Sequence, residues 1–163
     1  MIQAVAIDLD GALGDTVPLW HAFLEDAARR FRAIAPLAPD ELPSDRGVAA
    51  CELDAWASGG VGDWRVALER FAEDHAPVYL RPQAAASGAV RALAASGVRV
   101  GVFTDAPVEL ARVALAHFGV ARRIAVLEAG DGSLERLLGQ LGSGAEVART
   151  PGDLARITGS GAA

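Results

Sequence analysis

The chain has 163 residues, of which 52% are hydrophobic, and carries a formal net charge of −6 at pH 7. That length fits one domain, or one small domain with an insertion, and suffices to bury about two-thirds of the unfolded surface. The acidic balance without a basic block argues against a nucleic-acid partner, no apolar run approaches membrane length, and lysine is absent, so every fixed cation is an arginine. The single Cys51 allows no internal disulfide and fits a reducing compartment. It falls in a helical, apolar-flanked stretch and is expected to be an inert buried thiol. The N-terminus has no basic segment ahead of an apolar one, so a cytoplasmic protein is expected.

Residues 3–9 form an apolar run that reads as a buried parallel strand. It leads into Asp8, Asp10 and Gly11. On a strand, positions i and i+2 face the same side, so Asp8 and Asp10 would share one side at the strand's carboxyl end, where open α/β sheets place their ligands. Two carboxylates this close repel unless a cation lies between them. Their hard oxygens suit Mg²⁺, and one acid could be a nucleophile with the other a general acid/base.

Pro18 marks the start of an amphipathic helix through Trp20, Phe23, Leu24, Ala27, Phe31 and Ile34. Pro36, Pro39 and Pro43 break the chain. Ser44 or Asp45 can cap a second helix through Val48, Leu53 and Trp56. Residues 58–62 read as a flexible glycine loop. Asp63 can cap a third helix through Trp64, Leu68 and Phe71, with Pro77 as its stop. Residues 15–80 are thus a small helical unit holding all three tryptophans, whose role is expected to be its core. Trp20 and His21 are the secondary candidates for substrate contact, and His75 and His117 read as surface or capping residues.

From Pro82, helix and strand alternate again. A helix to Ser96 closes at Gly97. A buried strand over 98–103 ends in Thr104-Asp105-Ala106-Pro107, and a helix over 108–118 follows. The amides of a helix N-terminus beside a hydroxyl make an anion site. A third strand over 124–127, a helix with Leu134, Leu137, Leu138 and Leu141 on one face, and a brief fourth strand over 146–148 complete the pattern, and the tail from Gly159 is expected to be disordered. Four βα units in this order imply an α/β fold, a doubly wound parallel sheet with right-handed crossovers.

The run Asp8-Leu9-Asp10-Gly11-Ala12-Leu13, with Asp15-Thr16 after it, resembles the first motif of the haloacid dehalogenase-like (HAD) hydrolase superfamily. Asp10 points to its phosphatase branch, and the strand–Thr104–helix unit resembles the second motif. The order of segments extends the resemblance over most of the chain, most closely to phosphoglycolate-phosphatase-like members. The resemblance implies a Rossmannoid core of about four strands over 1–14 and 81–163, with the first strand flanked by the second and fourth. It implies a helical C1-type cap over 15–80. It implies that Asp8 attacks phosphorus and forms an aspartyl-phosphate, and that Asp10 protonates the leaving alkoxide and then activates water. Gly11, Thr104 and Asp105 would hold the phosphoryl oxygens, Asp8, Asp10 and Asp153 would hold Mg²⁺, and a small phosphorylated metabolite would be the partner, with neither nucleic acid nor membrane.

Two motifs depart from the pattern. The third is a lysine or arginine after the third strand, and Arg136 is the nearest replacement in sequence. The fourth supplies further metal acids. It falls either on Arg149 to Asp153, which keeps the strand count and is favoured, or on Asp131 and Glu135. Two functions therefore stay open: a Mg²⁺-dependent phosphatase acting on a small phosphomonoester, which leads, and a degenerate relative that binds a phosphorylated ligand or a protein partner without turnover.

Overall fold

In the computed structural model, which describes residues 1–33 and 42–160, the first strand, β1 (Ala4–Asp8), leaves no surface of Val5, Ala6 or Ile7 exposed. A strand buried on both faces needs helices on both sides of its sheet. Strands β2 (Arg99–Thr104), β3 (Val126–Ala129) and β4 (Glu146–Ala148) complete a parallel sheet in the order β3-β2-β1-β4. β1 is flanked by the second and fourth strands, as expected. In register, Asp8 lies opposite Phe103, and Ile7 lies opposite Ala148. β3 starts later than the apolar pattern suggests, because Ala121–Arg123 form a short helical turn ahead of it.

Alternation along β1 divides the core. Val5 and Ile7 join a large cluster with residues of α4 (Ala84–Ala95), α5 (Val108–His117) and α7 (Pro151–Ser160). Ala6 joins Phe103 and Leu137 beneath α6 (Ser133–Leu141), whose Leu134, Leu138 and Leu141 pack around them. α4 ends at Ser96 and Gly97, the latter at φ 81°, a left-handed turn that glycine makes without a Cβ penalty. The helix α7 carries on through Gly159 to Ser160, so the expected disorder does not begin at Gly159. Buried Leu154 and Ile157 hold the helix down.

Among the described residues, three inserted helices lie between β1 and α4: α1 (Val17–Arg32), α2 (Arg46–Trp56) and α3 (Trp64–Tyr79). Pro18 sits in the first turn of α1, where no backbone N–H is needed. Asp45 accepts from the Val48 amide at 2.9 Å and caps α2, and Asp63 does the same for α3 through Arg65 and Val66. Trp20 meets Phe23 and Trp64 at ring separations of 5.8 and 6.3 Å, and Phe23 meets Phe71 at 5.8 Å. Trp20 has no exposed surface and His21 is exposed, so the tryptophan is core rather than a substrate contact. His75 stacks on Phe71, and His117 contacts the Leu80 carbonyl.

Three local expectations are corrected. Pro77 does not stop α3, which runs to Tyr79. A proline in the last turn costs one backbone hydrogen bond, and the helix still closes through Leu80 N–H to the Ala76 carbonyl at 2.8 Å. Residues 57–61 wind into a wide helical turn, with Gly60 at φ 95°, instead of a loose loop. Cys51 is exposed, because the buried side of α2 is set by Ala49, Leu53 and Trp56, and Cys51 falls on the other side. Ile34, Pro36 and Pro39 lie outside the described residues.

The inserted helices share the core of the sheet. α3 packs along α5, and one continuous apolar cluster joins Trp64 and Leu68 to Leu110 and Ile157. Among the described residues, no helix is long and apolar enough to cross a membrane.

Candidate active site

Beyond Asp8 the chain leaves the sheet in a single wide turn, Leu9–Leu13, whose Leu9, Ala12 and Leu13 are buried. Burying these three side chains winds the backbone tightly enough that the Asp10 and Gly11 amides donate to Asp8 Oδ1 at 3.2 and 3.3 Å. Burial pushes the Asp8 carboxyl above its usual range, and the charge of Asp10 adds to this. The Gly11 and Asp10 amides and the nearby Arg149 oppose it.

Asp10 turns the other way. Its Oδ1 accepts from the amide and the hydroxyl of fully buried Thr16, both at 2.6 Å. Its Oδ2 faces the Thr104 hydroxyl at 3.4 Å and the Arg46 guanidinium at 3.1 Å. Thr104, the last residue of β2, also accepts from the Ala106 amide at 3.1 Å, which fixes its hydroxyl at the entrance to α5. The carboxyl ends of β1 and β2 therefore bring Asp8, Asp10, Gly11 and Thr104 together, with Asp105 beside them.

Arg46 and Thr16 were not singled out as functional by the sequence. Arg46 is 6% exposed and, among the described residues, is the one buried charged side chain. Its Nη1 donates to the Thr16 hydroxyl at 3.0 Å and lies 3.5 Å from Asp105 Oδ1. A signal existed: Arg46 falls on the same helical stripe as Ala49, Leu53 and Trp56. Next to it a cleft of about 310 Å³ opens between α2, α3 and the ends of β2 and β3, lined by Arg46, Trp64, Arg65, Asp105, Glu109 and Asp131.

Two of the expected site residues are engaged by their own neighbours in the chain. Arg136 Nε donates to Glu128 at 2.8 Å, and its other nitrogens donate to the Ala129 and Asp131 carbonyls, so it braces the loop from β3 into α6. Asp153 follows β4, the strand next to β1, but its Oδ2 accepts from the Arg149 and Thr150 amides and the Thr150 hydroxyl at 2.9–3.1 Å. The Thr150 hydroxyl chiefly holds its carboxyl below the usual range. Among the described residues, no three His, Cys, Asp or Glu side chains gather into a group that could hold a metal ion. Asp131 and Glu135 follow β3, at the edge of the sheet, and Asp131 sits against Gly47 of α2.

No family model matches the chain. Over 178 aligned residues it is 33% identical to a phosphoglycolate phosphatase of Rhodospirillum rubrum, covering 94% of this chain and 72% of that one. Among solved structures it resembles CbbY of Rhodobacter sphaeroides in complex with phosphate, at TM-score 0.59 and 18% identity, covering 90% of this chain and 77% of that one. It also resembles a HAD phosphatase of Thermococcus onnurineus, at TM-score 0.53 and 18% identity, covering 97% and 98% respectively. The structural likenesses speak for the fold and the sequence relative for the kinship: the chain belongs to the haloacid dehalogenase-like hydrolases, among their phosphoglycolate-phosphatase-like members.

Proposed function

We propose that this chain is a phosphatase that hydrolyses a small phosphomonoester through an aspartyl-phosphate on Asp8. The observation that carries the reading is the division of labour between two acids two residues apart. Asp8 is held by main-chain amides at the end of the central strand, and Asp10 is gripped by two threonine hydroxyls and a guanidinium. An Asp8 oxygen attacks phosphorus while the bond to the leaving alkoxide breaks, and Asp10 hands that alkoxide a proton. Asp10 then takes a proton from the water that hydrolyses the acyl phosphate and frees Asp8. Thr104 and the amides entering α5 hold the transferring oxygens. On this reading, residues 15–80 act as a cap over the core formed by 1–14 and 81–163, and exclude water during the reaction.

Mg²⁺ is part of the proposal. The desolvated Asp8 carboxyl, raised further by Asp10, is a place where a cation would be welcome. Mg²⁺ often rests on one or two carboxylates together with phosphate oxygens and water. Asp8 and the Asp10 carbonyl would hold it, and when bound it would offset negative charge on the phosphoryl group. Asp153 engages the first turn of α7 through Oδ2 alone, which leaves its Oδ1 to join, directly or through water.

The test is hydrolysis of p-nitrophenyl phosphate with and without Mg²⁺, wild type beside Asp8→Asn. Mg²⁺-dependent turnover that the variant loses supports the proposal. A folded wild type no faster than the variant overturns it. That second result would favour a binder without turnover, a reading supported by the lack of a three-acid group among the described residues.

A further inference from the structure

A phosphoryl group entering this site meets Asp8, Asp10 and Asp105, all at the ends of β1 and β2. Like charges at such separations exclude a phosphate dianion unless a fixed cation stands among them. The chain has no lysine, so that cation must be an arginine. Several arginines are paired elsewhere: Arg29 and Arg30 with Asp26, Arg65 with Asp54, Arg136 with Glu128, and Arg156 with Glu146. Arg149 is exposed and lies 5.6 Å above the Phe103 ring. Among the described residues, Arg46 alone is both buried and among the acids of the site.

We propose that Arg46, carried in by the inserted helix α2, is the fixed cation of this phosphoryl site: it holds Asp10 in place and offsets the charge of the incoming group. Its contacts to Asp10, Thr16 and Asp105 all run through Nη1. A guanidinium has five N–H donors in a planar fork, so further donors remain for phosphoryl oxygens. Burial is what gives this charge its weight, because a buried guanidinium is screened far less than one in water. Burial also explains its choice of partners. A charge 6% exposed must be paired, and Asp10, Thr16 and Asp105 pair it. Since Asp45 caps the helix that starts at Arg46, the guanidinium is set by the first turn of α2. The site thus has its cation only while α2 stays docked.

The inference rests on the phosphoryl-binding part of the reading above, so binding and turnover are measured separately. Inorganic phosphate affinity, by calorimetry, is compared among wild type, Arg46→Gln, Arg46→Lys and Arg136→Gln, with p-nitrophenyl phosphate turnover and melting temperature alongside. Glutamine keeps hydrogen-bonding capacity without the charge. Its expected effect is a loss in phosphate affinity on the order of tenfold or more, the worth of one charged hydrogen bond. Arg46→Lys should keep part of that affinity, and Arg136→Gln should stay near wild type. A folded Arg46→Gln that binds phosphate as wild type does overturns the proposal, as does a wild type that binds none at millimolar phosphate. Should Arg46→Gln not fold, Arg46→Lys is read in its place: weaker phosphate binding in the folded variant with Arg136→Gln unchanged supports the proposal, and an equal loss in Arg136→Gln overturns it. Phosphate binding that depends on Arg46 without any turnover refutes the phosphatase reading and leaves Arg46 as the phosphoryl cation.

Discussion

Gly11 and Arg149 leave no room between them: a Cβ built on Gly11 would run into the Arg149 carbonyl oxygen. The turn that carries Asp10 is thereby seated against the end of β4. The glycine is needed for this close approach rather than for an unusual backbone angle, since Gly11 is not among the residues with positive φ. Gly11→Ala is expected to destabilise the chain by about 1–3 kcal/mol, the usual range for overpacking. The cost should appear as a lower urea midpoint with an unchanged slope. Turnover should fall as well, because the Gly11 amide also orients Asp8.

Asp8 should lower stability at neutral pH. Burial raises its folded value above the unfolded one, so between those values the native state binds more protons. The favourable contribution is fully present below the unfolded value and is lost as pH rises through the folded one. Asp8→Asn should therefore melt higher than wild type at pH 7, and the gap should close once the pH falls below the ordinary carboxylate range, near about 4. Melting curves across that window, in metal-free buffer, check it. A gap that widens in acid would contradict the sign.

Thr104 joins the ends of β2 and α5 to Asp10 through one hydroxyl. Thr104→Val keeps the shape and removes the hydroxyl. Turnover is expected to fall by a factor on the order of 100, as for other lost oxyanion-side donors. Thr104→Ser should retain most of it. Comparing kcat and KM for the pair will separate charge stabilisation from binding.

Asp153 makes a prediction of opposite sign to Asp8. Its carboxyl is held below the usual range, chiefly by the Thr150 hydroxyl. Its contribution is present above the unfolded value and disappears as pH falls through the lower folded one. Asp153→Asn should melt lower than wild type at pH 7 and match it in strong acid. If its role is confined to the first turn of α7, the variant should also keep the wild-type thermal response to Mg²⁺.

The parts of this site that could be read directly are those whose chemistry sits next to an apolar run. Asp8, Asp10 and Thr104 each stand at the end of a buried strand, and short right-handed crossovers leave few sheet orders to choose from. Arg46 is different in kind. Its partners are on β1's turn and after β2, and only packing of the inserted helices brings it there. Arg136 was the nearest cation in sequence, yet Glu128 and two carbonyls close to it in the chain capture it first. Asp153 has the right residue type in the right place, but the free amides of a helix start compete for the same oxygen. Cys51 shows the same limit on a smaller scale: apolar neighbours in sequence do not say which side of a helix is covered.

The apolar cluster that runs without a break from Trp64 and Leu68 into Leu110 and Ile157 has a kinetic meaning. A lid on a polar hinge can swing many times per catalytic cycle. Here any wide excursion of α3 away from α5 would wet tryptophan and leucine side chains that are sealed at rest. On the proposed reading, ligand exchange is expected through small breathing movements at the mouth of the cleft, and the pace of exchange would then set a ceiling on turnover.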